Sequence, residues 1–224
     1  MMKHMSLAEI ATACGGTYVG DDSLKTVEVN GVVIDSRKVE PGYLFVAVKG
    51  ERVDGHTFIP SVFAKGAACV LCEDAPEQPA GPYIQVSSTL EAIKAIAACY
   101  RSTLTIPVVG ISGSVGKTST KEMIASILGQ HFHVLKTEGN FNNEIGLPLT
   151  IFRIREEHEA AVLEMGISDF GEMTRLARMA KPTVCVLTNI GLCHLENLKT
   201  RDGILKAKTE MFAEAMPGAA VIVN

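Results

Sequence analysis

An apolar run, Val108-Val109-Gly110-Ile111, leads into Ser112-Gly113-Ser114-Val115-Gly116-Lys117-Thr118 and then into a stretch with apolar residues at helical spacing. A chain with this pattern sets a buried strand against a helix with only a short glycine-rich loop between them, which restricts it to α/β architectures. Pro107 to Ile111 reads as a buried parallel strand. Thr118 to Leu128 reads as a helix burying Met123, Ile124, Ile127 and Leu128, stopped by Gly129. The loop therefore opens a helix N-terminus, where unpaired N–H groups and the positive end of the helix dipole hold phosphate oxygens. Lys117 adds a mobile cation for the β- and γ-phosphates of a nucleoside triphosphate, and Thr118 offers a hydroxyl to Mg²⁺. The longer form of such loops carries glycine where this chain has Ile111, so the shorter G-x-x-G-K-T form applies and a generic kinase or GTPase reading is weakened.

The 224 residues suffice for one large or two modest domains, each with its own core. Although 47% of residues are hydrophobic, no run approaches the roughly 18 apolar residues of a membrane span. Met1-Met2-Lys3-His4-Met5 has no apolar signal region behind it, because Ser6 to Ala13 reads as an amphipathic helix with a Ser6/Glu9 capping box. A soluble, cytoplasmic protein is expected. Its six cysteines, Cys14, Cys69, Cys72, Cys99, Cys185 and Cys193, lie among apolar neighbours, as reduced core cysteines do. Cys69 and Cys72 sit three apart in an apolar strand, point to opposite faces and have no second Cys/His pair, which favours a structural role over metal binding. A net charge of −4 with no basic run gives nucleic-acid binding no support.

The pattern changes near residue 105. Residues 1–105 read as a small α/β domain with strands at Val27 to Ile34, Tyr43 to Val48 and Ala67 to Leu71. Its helices read as Thr57 to Lys65 and Thr89 to Tyr100, the latter capped by Ser88 with Glu91 reciprocating. Residues 106–224 alternate strand and helix, with strands at Val108 to Ile111, Val134 to Thr137, Ala160 to Met165, Val184 to Asn189 and Ala219 to Val223. That is the signature of a parallel, helix-covered sheet. The chain stops at Asn224, directly after what reads as a central strand, so a truncated second domain is expected.

Ligands of such sheets lie beyond the carboxyl ends of the strands. There this chain places a polar, glycine-flanked segment, Thr137 to Gly146, where a substrate would lie if it is more than a solvated loop. Glu164 stands there too, either exposed or an oxygen ligand for Mg²⁺. His194 follows the next strand as a core histidine or a metal ligand. In the helix Arg201 to Ala215, the apolar face reads as Ile204, Leu205, Ala207, Met211 and Phe212, with Lys208 in its middle and Lys206 and Glu210 opposite. Lys208 either snorkels to the surface or is buried, which would lower its pKa and free an amine able to take up CO₂ as a carbamate.

These segments in order, G-S-V-G-K-T-S-T-K-E, G-N-F-N-N-E-I-G-L-P-L-T, E-M-G with F-G-E, T-N-I-G with H-L-E, and K-A-K-T-E-M-F, resemble the Mur ligases of bacterial cell-wall synthesis. Upstream, V-V-I-D-S-R-K-V-E-P-G-Y-L-F-V-A-V-K-G-E-R-V-D-G-H-T-F-I resembles that family's UDP-sugar-binding N-terminal domain. The N-N-E-I-G block points to the branch that joins D-Ala-D-Ala to UDP-MurNAc-tripeptide rather than to a sibling ligase. The resemblance implies a substrate pocket from Asp35, Ser36, Arg37, Lys49, Asp54 and His56, with Asn140, Asn142 and Asn143 facing the sugar-peptide. It implies an ATP site from Gly113, Ser114, Gly116, Lys117, Thr118 and Ser119, and Mg²⁺ at Thr118 and Glu164. It further implies a second metal region at His194 and a carbamylated Lys208, with Lys117, Lys208 and His194 as the catalytic set and an acyl phosphate as intermediate. Members also carry a third domain for the amine substrate that these residues do not supply, so the chain alone is expected to be inactive. Two other classes stay open: a P-loop kinase or dethiobiotin-synthetase-like enzyme, which leaves the D-S-R and D-G-H blocks unexplained, and a non-catalytic nucleotide- or UDP-sugar-binding module.

Overall fold

The computed structural model describes residue 2 and residues 4–224; Met1 and Lys3, part of the N-terminal run read above for an export signal, lie outside them. The chain forms two compact units, residues 1–103 and 104–224. Among the described residues no helix is long and apolar enough to cross a membrane.

The first unit opens with α1 (Leu7–Cys14), held by a reciprocal Ser6/Glu9 capping box and ended by Gly15 in the left-handed region. Its sheet contains β1 (Thr17–Val19), β2 (Gly31–Val33), β3 (Tyr43–Val46), β4 (Cys69–Cys72) and β5 (Tyr83–Gln85), in the order β1-β5-β4-β3-β2. β2 to β5 run parallel and β1 antiparallel at one edge. Helices α2 (Ile59–Ala64) and α3 (Thr89–Ser102) complete the unit, and Ile59, Val62 and Phe63 pack on Phe45, Val70 and Tyr83. Because β2, β3 and β4 are parallel, the segments that follow them, beginning at Ile34, Ala47 and Glu73, emerge on one edge of the sheet.

Several expected boundaries move. The strand expected from Val27 shrinks to β2, because Val27 closes a 3₁₀ turn and the Val29 N–H goes to the Met5 carbonyl instead of a sheet neighbour. The helix expected from Thr57 starts as a 3₁₀ turn, Gly55–Phe58, before α2. Ser88 caps α3, but the Glu91 carboxylate bonds Lys94 at 2.5 Å. The short strands β1 and β5 were not evident from sequence.

The second unit is a wholly parallel sheet of β6 (Val108–Ser112), β7 (Val134–Lys136), β8 (Ala160–Glu164), β9 (Val184–Leu187) and β10 (Ala220–Val223), ordered β10-β9-β6-β8-β7. Its helices are α4 (Lys117–Leu128), α5 (Gly146–Ile151), α6 (Glu172–Ala180), α7 (Leu195–Leu198) and α8 (Arg201–Glu214). The first strand, β6, ends up in the middle, with β8 and β7 on one side and β9 and β10 on the other. The chain changes sides there, which leaves a crevice at the carboxyl end of β6. Ile111, Val162 and Val186 from three adjacent strands pack with Ala125, Ile124 and Leu128 of α4. Each such buried aliphatic side chain contributes about 1.5–3 kcal/mol relative to exposure.

Two faces differ from expectation. On α4 the side turned inward carries Lys121, Ala125, Ile124 and Leu128, whereas Met123 and Ile127, expected in the core, are exposed. On α8 the buried set is Ile204, Ala207, Lys208 and Met211, with Leu205 exposed. The last strand, expected to be central, is an edge strand with Val221, Ile222 and Val223 exposed.

Candidate functional site

The loop between β6 and α4 stands at the mid-sheet crevice. Gly113 has φ +144°, and a Cβ there would lie 1.9 Å from Thr188 Oγ1, so only glycine lets the loop pass so close to the end of β9. The segment after β9 braces it. Ser114 N–H donates to Asn189 O at 3.0 Å, Val115 N–H to Asn189 Oδ1 at 3.1 Å, and Thr188 Oγ1–H to Val115 O at 2.7 Å. Ser114 Oγ donates to Gly191 O at 3.1 Å and accepts from Gly191 N–H at 2.9 Å and from the Cys193 thiol at 3.2 Å. These bonds explain why β9 stops at Leu187 instead of reaching Asn189. The Thr120 N–H bonds Gly116 O at 2.9 Å, as the first turn of α4 requires. The N–H groups of Lys117, Thr118 and Ser119 precede it at the helix start, where no intrahelical acceptor exists. Lys117 folds back so that Nζ donates to Gly113 O at 2.9 Å, which places its charge over the loop.

A carboxylate lies beside this loop. Glu164, at the end of β8, is 3% exposed and its Oε2 accepts from Thr118 Oγ1 at 3.0 Å. Its Oε1 accepts from Asn142 Nδ2 at 2.9 Å, and its own N–H donates to Thr137 Oγ1 at 3.0 Å. Lys121, one turn after Lys117 on α4, puts Nζ 4.0 Å from Glu164 Oε2 and 3.2 Å from Glu122 Oε1. Thr118 and Glu164 present two hard oxygens side by side, which suits Mg²⁺, an ion that takes one or two protein oxygens and completes its shell with phosphate and water. Among the described residues no group of three or more His, Cys, Asp or Glu is gathered for a metal. Buried Ser112 Oγ, at the root of the loop, has no hydrogen-bond partner among the described residues.

Lys208 is 1% exposed, on the buried side of α8, while Lys206 faces solvent. Burial pulls the Lys208 ammonium below its ordinary range; the Cys193 thiol opposes this shift and the Lys117 charge adds to it. His194 is exposed and holds φ +51° as the residue before α7. Ser119 and Asn140 are exposed as well. Asn143 accepts from Ile145 N–H at 3.2 Å and Gly146 N–H at 2.8 Å, which fixes the turn into α5. The structure thus gathers Thr118, Glu164 and Asn142 beside the loop that carries Lys117, and buries Lys208 on α8. Lys121, Thr137, Asn189 and Cys193 were not singled out by sequence reasoning for this site.

On the first unit, Asp35, Lys49 and Asp74 follow parallel neighbours β2, β3 and β4 and share one sheet edge. Asp35 accepts from Arg37 Nε at 2.9 Å and Nη2 at 2.8 Å and from the Arg37 N–H at 3.0 Å. Those bonds hold its carboxyl at about 2. Ser36 O accepts from Lys65 Nζ at 2.7 Å, and Lys49 Nζ pairs with Asp74 at 2.5 Å. His56 Nε2 accepts from Glu73 N–H at 3.1 Å, so its proton sits on Nδ1 and points to Asp54 Oδ1 at 2.7 Å. The ring pins the Gly55 turn to the end of β4, and the His56 N–H, which also donates to Asp54, is the main reason that this carboxyl titrates below its usual value.

A parallel sheet with a braced glycine loop at its crossover point, a lysine folded over that loop and an oxygen pair beside it define an α/β protein of the P-loop type. Residues 111–224 match the Mur ligase middle domain and residues 28–101 the domain described as Mur ligase family, catalytic domain. The chain belongs to the Mur ligase family. It is 44% identical over 208 residues to the UDP-N-acetylmuramoyl-tripeptide–D-alanyl-D-alanine ligase of Bacillus subtilis, covering 92% of this chain and 45% of that relative. A crystal structure of MurF from Acinetobacter baumannii superposes with a TM-score of 0.89 at 34% identity, covering 98% of this chain and 48% of that one. MurF from Thermotoga maritima, solved in complex with ADP, gives 0.79 at 36% identity over 86% of this chain and 45% of that one. The chain spans about half the length of the curated relatives it matches.

Proposed function

We propose that residues 1–224 form the UDP-substrate and nucleotide-binding parts of a cytoplasmic, ATP-dependent ligase that joins D-Ala-D-Ala to UDP-MurNAc-tripeptide. The observation that carries the reading is the buried Glu164 bonded to Thr118 of the phosphate loop, with Lys117 above it. The names of the relatives and the ADP in the Thermotoga maritima structure support it.

In this reading the first unit binds uridine diphosphate along the edge bearing Asp35, Ser36, Arg37, Lys49, Asp54 and His56. The segment with Asn140, Asn142 and Asn143 lies towards the sugar-peptide. The N–H groups of the loop from Gly113 to Ser119 receive the phosphates, and Lys117 leaves Gly113 O to follow the γ-phosphate as the tripeptide carboxylate attacks it. Thr118 and Glu164 would hold Mg²⁺, which when bound offsets the charge of the phosphates. Asn142 fixes the rotamer of Glu164 through Oε1 and leaves Oε2 turned to Thr118. The carboxylate gains the γ-phosphoryl group as an acyl phosphate while the bond from the γ-phosphorus to the bridging oxygen breaks and ADP leaves; the D-Ala-D-Ala amine then adds to the acyl carbon, gives up a proton and displaces phosphate as the amide forms. In Lys208 the neutral amine adds to CO₂ and loses one proton, giving an anionic carbamate near Lys117; His194 would share a second metal region with it.

Titration calorimetry on the 224-residue chain tests the division of labour. ATP with Mg²⁺ and the UDP-muramoyl tripeptide should each bind, and Lys117→Ala should weaken ATP at least tenfold while leaving the UDP ligand unchanged. Equal loss of both in a folded variant contradicts it. For the carbamate, ¹³C-bicarbonate labelling should give one carbamate resonance in wild type and Lys206→Ala and none in Lys208→Ala.

A further inference from the structure

The two lysines buried to 1% exposure in the second unit keep different company. Lys208 has no ion-pair or hydrogen-bond partner among the described residues, whereas Lys121 is flanked by two carboxylates, Glu122 at 3.2 Å and Glu164 at 4.0 Å. Glu122 in turn pairs with Lys136. A buried carboxylate such as Glu164 needs a counter-charge, and Lys121 supplies one from inside the fold. Its ammonium approaches Glu164 Oε2, the same oxygen that takes the Thr118 hydroxyl. Beside this oxygen stands Lys121, which also meets Glu122, and Glu122 is shared with Lys136, so the carboxylate charge here is already partly balanced from within the fold before any ligand arrives.

We propose that Lys121 is a resident counter-cation that closes the Thr118–Glu164 pair to free divalent metal and makes metal loading depend on the triphosphate. The inference rests on the reading of that pair as the Mg²⁺ site. A divalent ion arriving alone meets one carboxylate whose charge is largely offset by Lys121 and gains little. Arriving with a triphosphate, it brings its own anions. Lys121 then balances Glu164 before loading and the phosphates after it, without moving from the core. Lys121 is in this sense a positioning residue, acting on the metal through Glu164 and the local field.

Mn²⁺ binding to the 224-residue chain, followed by electron paramagnetic resonance, separates the possibilities. Without nucleotide, wild type should bind Mn²⁺ only weakly, Lys121→Gln at least tenfold more tightly, and Lys121→Arg like wild type. Adding Glu164→Gln to Lys121→Gln should abolish the gain, and a non-hydrolysable ATP analogue should tighten Mn²⁺ less in Lys121→Gln than in wild type. A folded Lys121→Gln chain with unchanged or weaker Mn²⁺ binding overturns the proposal. Lys121→Met repeats the test with an apolar stem, and micromolar Mn²⁺ binding by wild type without nucleotide overturns the proposal with no variant at all. If Glu164→Gln leaves Mn²⁺ binding with the analogue unchanged, the metal-site reading itself fails. If Glu164→Gln abolishes that binding and Lys121→Gln changes nothing, only the counter-cation role falls.

Discussion

Lys208 carries a burial cost that Cys193 only partly opposes, since its amine is buried on α8 without an ion-pair or hydrogen-bond partner among the described residues. Burial lowers its pKa below the ordinary 10.5, so between the two values the unfolded chain binds more protons than the folded one. Stability from this group therefore rises with pH across that window. In CO₂-free buffer Lys208→Met should be more stable than wild type at neutral pH by about 1–3 kcal/mol, and the gain should shrink as pH climbs towards 10.5; urea melts at several pH values measure this. A gain that grows with pH would refute it. Asp35 has the opposite sign. Held at about 2 by the Arg37 side chain and N–H, it contributes stability that is present above 3.8 and lost as pH falls through about 2. Its exposure keeps that contribution small, so the direct check is carboxyl NMR, in which Arg37→Ala should move the Asp35 titration upward while the backbone bond stops it short of 3.8. At this scale the phosphate loop was legible because its residues are consecutive. The Glu164 cluster was less so: Thr118, Asn142 and Glu164 meet across 22 and 46 residues of chain, and no local spacing encodes that encounter.

Helices in the second unit are tied by side chains from elsewhere in the chain. Glu210 of α8 accepts from Gly171 N–H at 3.1 Å, Thr174 N–H at 3.2 Å and Thr174 Oγ1 at 2.9 Å, which satisfies donors at the start of α6 that have no acceptor within that helix. Glu210→Ala should destabilise the chain by about 1–3 kcal/mol, seen as a lowered denaturation midpoint with an unchanged slope. On α4, Ile127→Lys should stay within about 0.5 kcal/mol of wild type because that side chain faces solvent. Ile111→Ala, in the layer beneath the same helix, should cost about 2–5 kcal/mol. Comparable losses at both positions would place Ile127 in the core. The α4 face was misread for a physical reason: Met123, Ile124, Ile127 and Leu128 span more than one side of the helix, and the residue that marks the inward side is Lys121, a type normally assigned to water. Strands β1 and β5, three residues each, are too short for alternation to stand out from the surrounding turns.

In the proposed reading the ligand chemistry is divided between two sheets, each presenting its candidate residues beyond the carboxyl ends of parallel strands. The first edge offers the Asp35–Arg37 and Lys49–Asp74 ion pairs, proposed to receive uridine diphosphate; the second offers helix-start N–H groups, Lys117 and the Thr118–Glu164 oxygens. In that reading the groups assigned above serve the UDP-substrate, the nucleotide, the metal or the carbamate, and none of them is assigned to the amine of D-Ala-D-Ala. The relatives that carry the ligase name are about twice this length. A polypeptide of these 224 residues alone is therefore expected to bind both the UDP-muramoyl tripeptide and ATP, yet to show no phosphate release that depends on D-Ala-D-Ala. A coupled phosphate assay with all three ligands, and with each omitted in turn, measures this. Release that requires the tripeptide and D-Ala-D-Ala together would mean that amine recognition lies within these two units, and the search for it would turn to the exposed Phe141, Phe170 and Leu192 on the loops that follow β7, β8 and β9.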